Sequence, residues 1–385
     1  MATITTSVAP PAAQRSLHDL SAGPSVLLGA AMTALTFTLA VKGGIYGFDF
    51  RGGAWAAGRD VLAGRSPYPA ADAVKLLAAG NAYIPPPLLA VLCVPLSLLP
   101  FAPAVVVFGV ACTAAFVLAL WLLDVRDLRV YGLALTSFPF VASIGMGQPD
   151  GLLALLVALA WRYRRSWPGA VAVGTVIALK LLAWPLLVWF LATRRLKQAA
   201  LAAAVAIAEV GGSWGLIGFK GLPQYRHLLE ADATAFQIRG HSVVAAALRL
   251  GASPHAARLL AVAVAVAVAA IVARLARDRD LGVFTAALAF GLLASPILWT
   301  HYLVVLLVPL ALAHRRADAA WLATIPFWLS PLEPPPHVWK VVFVLALTAA
   351  LSVAAAAPTL RSLPKWARFC RPVVSDGRAG RARTS

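Results

Sequence analysis

The chain has 385 residues, 61% of them hydrophobic and only 12% charged, with a mean hydropathy of +0.82. A soluble domain carries about 25% charged residues, so this composition excludes an ordinary water-soluble fold and indicates a multi-pass membrane protein. Net charge is +18, but the basic residues fall in short clusters between apolar runs, the positive-inside pattern, and no nucleic-acid partner is expected.

Residues 1–24 are polar and rich in Ala and Pro, and are expected to form a disordered cytoplasmic N-terminus. The apolar run 25–41 follows a weakly charged leader and precedes many further spans, so it reads as an uncleaved anchor helix. Asp49 stands just beyond it, in Ile45-Tyr46-Gly47-Phe48-Asp49-Phe50-Arg51. A carboxylate where a membrane helix emerges is costly and is a functional candidate on that ground. Its bland alternative is a solvated Asp that pairs with Arg51 or caps a loop helix.

Asp49 opens a polar segment, 42–85, expected to be an extracytoplasmic loop. Within it, 54–62 can form an amphipathic interfacial helix. Gly64 ends that helix, Ser66-Pro67-Tyr68-Pro69 turns the chain, and Tyr83-Ile84-Pro85-Pro86-Pro87 starts the next helix. Two apolar runs, 86–99 and 103–123, then lead to the segment 124–129. If both runs span, that segment lies outside and the following hairpin is inverted. Its charges sum to zero, so charge cannot decide.

Further on, basic clusters at Arg162/Arg164/Arg165, Arg194/Arg195/Lys197, Arg274/Arg277/Arg279 and Arg315/Arg316 mark cytoplasmic turns. The apolar stretches between them are interrupted by Gly147-Gln148-Pro149-Asp150, by Lys180 and Pro185, by the connection 220–254, and by Ser295-Pro296 to His301. Each reads as a helical hairpin with its apex on the outer side. Half-segments such as 151–161 fall short of the roughly 20 residues a bilayer requires, and suit partial helices that end at an internal cavity. The run 261–270 alternates Ala and Val, yet both faces are apolar, so it is a helix and not a barrel strand. No repeat of fixed period is visible. The basic tail, 358–385, is expected on the anionic cytoplasmic leaflet. The expected architecture is an all-α integral membrane bundle over 25–357, with about 10–13 membrane segments.

Several residues stand out on chemical grounds. Lys180 interrupts an apolar run and either donates to a phosphate or snorkels to the interface. His301 sits between Trp299 and Tyr302, as a ligand-binding group or as part of an aromatic belt. Gln148 and Asp150 occupy a hairpin apex, where Asp150 is alternatively the N-cap of the helix beginning at Gly151. Glu209 lies deep in an apolar run and demands a partner or a proton. The second extracytoplasmic loop, 220–254, carries Tyr225, His227, Phe236 and Gly240-His241-Ser242 and is long enough to shape a binding site. Cys93, Cys112 and Cys370 have no ligand spacing, so neither a disulfide framework nor a zinc site is expected.

Taken in order, the Asp after the first helix, Leu62-Ala63-Gly64 followed by Pro67-Tyr68, the Tyr83-Ile84-Pro85-Pro86 helix start, Pro95-Leu96-Ser97-Leu98-Leu99-Pro100, Gly147-Gln148-Pro149-Asp150-Gly151-Leu152, Leu179-Lys180 and Ser295-Pro296-Ile297-Leu298-Trp299-Thr300-His301-Tyr302 form a pattern. Over roughly residues 25–355 the chain resembles glycosyltransferase family 87, the polyprenol-phosphate-mannose-dependent mannosyltransferases of actinobacteria, with the multi-spanning GT-C fold. It departs from that family where members often carry a Tyr pair and this chain has Gly52-Gly53, and where they often read Tyr-Pro-Pro and this chain has Ile84-Pro85-Pro86-Pro87.

The resemblance implies a lipid-phosphate sugar donor, a glycolipid or cell-envelope glycan acceptor, and a site on the extracytoplasmic side of the cell membrane. Such a reaction needs a base for the acceptor hydroxyl and cations or donors for the departing phosphate. The resemblance assigns Asp49 as base, with His301 beside it as a catalytic group. Lys180, Arg51, Arg59 and Arg239 are the candidates for the phosphate, and Gln148, Asp150, Trp55, Tyr83 and Trp299 for the acceptor or sugar. In-line attack on a β-linked donor would invert the anomeric centre. Neither cofactor nor metal is expected, because Asp49-Phe50-Arg51 offers no Asp-x-Asp pair. The rival class is a transporter or flippase of a lipid or small solute, which would also use intramembrane Lys, Glu and His but gains no support from an internal repeat.

Overall fold

The computed structural model describes residues 17–276, 278–330 and 336–356. The expected basic tail, residues 1–16 of the expected N-terminal segment, and Arg277 lie outside them. All regular secondary structure among the described residues is helical.

Helix Phe101–Leu122 is apolar on every side, as a bilayer requires. Phe101–Leu122 buries Ala104, Phe108, Cys112, Ala115 and Ala119 on one stripe, while Val106 and Val110 on the other faces are 54% and 63% exposed. Among the described residues four helices are long and apolar enough to cross a membrane unaided: Phe101–Leu122, Leu196–Leu216, Pro254–Leu275 and Val338–Ala356. The pair Leu128–Leu135 and Phe138–Met146, bent by 56°, adds a fifth if it counts as one span. The bend falls at Thr136-Ser137 before Pro139. There the Trp328 indole N–H donates to the Thr136 carbonyl at 3.0 Å, and the Ser137 hydroxyl donates to Ala134 at 2.7 Å. Carbonyls freed by the break are thus satisfied inside the protein, the condition for a broken helix in lipid. Shorter apolar helices such as Trp167–Leu179, Leu181–Ala192 and Thr300–Ala313 accompany them. The result is a multi-pass helical membrane protein whose segments are partly full spans and partly half-length helices.

The two ends of the bundle differ in chemistry. At one end Asp280 accepts from Arg164 Nε at 2.8 Å, from Arg195 Nη1 at 2.8 Å and Nη2 at 2.5 Å, and from the Trp189 indole at 2.7 Å. This single carboxylate ties together turns that the sequence marks as basic. Asp150–Arg162 runs from the other end to this one, a rise of about 18 Å.

The undecided segment 124–129 belongs to the basic end. Asp124 approaches Arg315 at 4.0 Å, and Asp127 Oδ2 accepts from the Ala317 backbone N–H at 3.0 Å. The run 86–99 is not a span. It forms two short helices, Leu88–Leu92 and Val94–Ser97, that stay against the first loop. The Ser97 hydroxyl donates to Trp55 O at 2.9 Å, and the Trp55 indole to Leu99 O at 3.3 Å. The following hairpin is therefore not inverted.

At the other end the two long loops clasp each other. Lys220 Nζ donates to Gly64 O, and Ser66 Oγ to Lys220 O at 3.4 Å. Tyr68 stacks on Trp214 with ring centroids 5.1 Å apart. Three phenols then hold the Pro-rich turn, Tyr225 on Ile84 O at 3.0 Å, Tyr68 on Pro85 O at 3.0 Å and Tyr83 on Pro86 O at 2.6 Å. A stretch of consecutive prolines cannot pair its own carbonyls in a ladder or helix, so side chains must do it. The amphipathic helix expected over 54–62 is present as Ala56–Leu62, with Ala57 and Gly58 buried and Arg59 exposed.

Candidate active site

The site begins with two glycines packed against each other. Phe138–Met146 ends at Gly147, whose φ of 75° and ψ of 43° are left-handed. Gln148 N–H reaches back to Ser143 O at 2.8 Å, the Schellman closure that glycine permits. A Cβ on Gly147 would lie 2.6 Å from Phe50 Cβ and 3.2 Å from Gly47 Cα. Gly47, with φ of 68°, donates its N–H to Gly145 O at 2.7 Å. This close approach brings Gln148 Nε2 to Asp49 Oδ2, donating at 2.8 Å. Asn81 Nδ2 secures the same turn by donating to Phe48 O at 2.6 Å. It fits because Gly52 has no side chain, where a Cβ would collide with the Asn81 amide. The departure at Gly52-Gly53 thus has a local structural reason.

Asp150 is the hub of a second group. It does not cap its helix: the N-cap position is Pro149, and no side-chain cap bond forms. Its carboxylate is 1% exposed, accepting from Lys180 Nζ at 3.0 Å on one oxygen and from His301 Nδ1 at 2.6 Å on the other. Lys180 reaches it from just past the end of Trp167–Leu179, where the backbone turns extended before Leu181–Ala183. The ammonium also lies 3.5 Å from the centroid of the Tyr302 ring, a cation–π contact. His301 and Tyr302 pack edge to face at 4.6 Å. With Nδ1–H directed at Asp150, His301 keeps Nε2 free for a ligand.

The two groups form one electrostatic unit. Burial raises the Asp49 carboxyl above its ordinary value, opposed by the Gln148 hydrogen bond and by His301 and Lys180, and reinforced by Asp150. A half-buried carboxylate, two nitrogen donors and a neutralising carboxylate are thus gathered at one end of the bundle. They can accept a proton at Asp49 and hold an anion at Lys180 and His301.

The other candidates are placed differently. Arg51 is exposed and stacks over Phe101 at 4.2 Å, and Arg59 is exposed and stacks over Trp55 at 5.0 Å. The Trp55 indole is engaged by Leu99 O. Tyr83 is buried, and its hydroxyl both donates to Pro86 O and accepts from the Ala90 N–H at 3.0 Å. Arg239 and Trp299 are half-buried, Trp299 immediately ahead of the Thr300–Leu306 turn that carries His301. Glu209 finds a partner in Thr175, whose hydroxyl donates to Oε1 at 2.8 Å; Oε2 is buried and unpaired. Tyr302 as the platform under Lys180 was not foreseen; its adjacency to His301 was the only signal. Among the described residues no group of three or more His, Cys, Asp or Glu could hold a metal ion.

Comparison with known proteins converges on one family. Residues 83–296 match glycosyltransferase family 87. The chain is 27% identical over 368 residues to a polyprenol-phosphate-mannose-dependent alpha-(1-2)-phosphatidylinositol pentamannoside mannosyltransferase of Mycolicibacterium smegmatis, covering 86% of this chain and 88% of that protein. It is 30% identical over 256 residues to a protein of the same description from Mycobacterium tuberculosis, covering 60% of this chain and 56% of that one. No solved structure matches.

Proposed function

The chain belongs to glycosyltransferase family 87, and on that premise we propose that it moves a mannosyl unit from polyprenyl phosphate to a hydroxyl of a lipid-anchored or cell-envelope glycan, with Asp49 as general base. The names of both relatives specify a polyprenol-phosphate-mannose donor and a phosphatidylinositol pentamannoside acceptor, which supports the donor and acceptor classes. The observation that carries the reading is the pairing of Asp49, held by Gln148, with the Lys180–Asp150–His301 group.

Asp49 takes the proton of the acceptor hydroxyl, whose oxygen attacks the anomeric carbon. The bond from that carbon to the phosphate oxygen breaks, and its electron pair leaves with polyprenyl phosphate. Lys180 Nζ and His301 Nε2 stabilise the departing anion, while Asp150 holds both nitrogens in place and keeps the empty site near neutrality. Attack opposite the leaving group inverts a β-linked donor to an α-linked product. The scheme uses no metal and no cofactor. The basic end lies at the cytoplasmic face by the positive-inside rule, which puts Asp49 on the extracytoplasmic side of the cell membrane. Arg51, Arg59, Arg239, Trp55, Tyr83 and Trp299 line or support the surrounding loops.

The test is transfer by the purified protein in nanodiscs, supplied with polyprenyl-phosphate mannose and mannosylated phosphatidylinositol. An α-mannosylated glycolipid is the expected product. Solute uptake into proteoliposomes without transfer to any glycolipid would instead establish a transporter.

A further inference from the structure

Lys180 is the cation of the Asp150 group, and an ammonium has three donors to satisfy. Asp150 Oδ1 takes one at 3.0 Å, and the lysine side chain is only 16% exposed. Solvent has little room to serve the others. Lys180, Asp150 and Tyr302 border a cavity of about 10 Å³ whose other walls include Leu153, Val157 and Leu288. A space of that size holds about one water.

Beside the ammonium lies the Tyr302 ring, its centroid 3.5 Å from Nζ. That is well inside the reach of about 6 Å over which an aromatic face attracts a cation, and desolvation strengthens the attraction. The ring is held on two sides. Its backbone N–H donates to Trp299 O at 3.0 Å. Its plane stands at 87° to the His301 ring, with centroids 4.6 Å apart. One side chain thus touches both of the nitrogen groups that Asp150 binds. A second carboxylate in its place would also hold the ammonium, but it would leave the group with excess negative charge and repel an anion. An aromatic face attracts the cation while adding no net charge.

We propose that Tyr302 is a positioning residue for the donor phosphate. Its π face keeps the Lys180 ammonium charged and aimed, with one N–H on Asp150 and another left for the departing oxygen. The phenol hydroxyl is not what the site uses; the ring is. The inference rests on the mannosyl-transfer reading above.

Steady-state transfer in nanodiscs tests it. Tyr302→Leu should lower donor kcat/KM about tenfold or more, the scale of a desolvated cation–π contact, with acceptor KM within about twofold. Tyr302→Phe, which keeps the face and drops the hydroxyl, should restore most of that loss. Replacing Tyr302 with mono-, di- and trifluorophenylalanine preserves the shape while draining charge from the π face. Donor kcat/KM should then decline stepwise with each fluorine, a trend that a ring merely filling space does not produce. In a Lys180→Met background, Tyr302→Leu should cost less than about twofold further, because the partner of the ring is already gone. A flat fluorine series overturns the assignment. So does a Tyr302→Leu variant with wild-type donor kcat/KM, an equal rise in acceptor KM, or a full tenfold loss that persists without Lys180. These outcomes leave the transfer reading standing, whereas a wild-type protein that transfers to no mannosyl glycolipid removes both.

Discussion

Asp150 should be coupled to Lys180 far more strongly than a surface pair. Their side chains are 1% and 16% exposed, with 3.0 Å between Nζ and Oδ1, and His301 occupies the second oxygen at 2.6 Å. Removing one member of a buried pair costs about 3–5 kcal/mol, because the other charge is left uncompensated. Asp150→Asn preserves shape and one acceptor oxygen, so its cost belongs at the low end, about 3 kcal/mol. Lys180→Met leaves Asp150 with His301 alone and also loses the contact with Tyr302; about 3 kcal/mol is expected again. The double variant Asp150→Asn/Lys180→Met removes both charges together, so its cost should fall below the sum by about 2 kcal/mol or more. Reversible SDS-induced unfolding in mixed micelles measures all four corners of this cycle. Additive costs within about 0.5 kcal/mol would refute the buried hub.

The proposed base should titrate visibly. Burial raises the Asp49 carboxyl, and only the ionised form accepts a proton, so kcat/KM should fall as pH drops through a value above the usual carboxylate pKa of about 4; a pH–rate profile checks this. Gly147→Ala forces a left-handed backbone onto alanine and drives Cβ to 2.6 Å from Phe50 Cβ, which displaces Gln148. Transfer should drop at least about tenfold, whereas Gly145→Ala, with nothing within 4 Å of its Cβ, should retain the wild-type rate. Asp280→Ala strips Arg164, Arg195 and Trp189 of their common acceptor; it should lower the SDS midpoint while donor and acceptor KM stay unchanged. Exhaustive treatment with a chelator should leave transfer intact, and a loss restored by added divalent cation would contradict the metal-free scheme.

Interruptions in apolar runs are what made the candidate site readable in sequence. Gln148, Lys180 and His301 each break such a run at a hairpin apex, Asp49 stands just beyond the first run, and the fold gathers all four at one end of the bundle. Asp150 was harder to place. Immediately ahead of a helix it looks like a cap, and the partners that define it lie 30 and 151 residues away. The run 86–99 has the hydropathy of a span, but its apolar side chains and its Ser97 pack on the first loop instead, which hydropathy cannot distinguish. Loop arginines look alike in sequence; only their stacking on Phe101 and Trp55 separates Arg51 and Arg59 from the Lys180–Asp150–His301 group. Gly47 and Gly147 show the same limit, since their mutual approach exists only after a hundred intervening residues have folded.

The most direct measurement compares wild-type and Asp49→Asn protein, purified into nanodiscs, for donor binding and for mannosyl transfer to a mannosylated phosphatidylinositol. Donor affinity should be preserved in the variant, while the transfer rate should fall by about 10²–10⁴-fold, the usual contribution of a general base. Transfer by Asp49→Asn at the wild-type rate would contradict the assignment of Asp49 as the base.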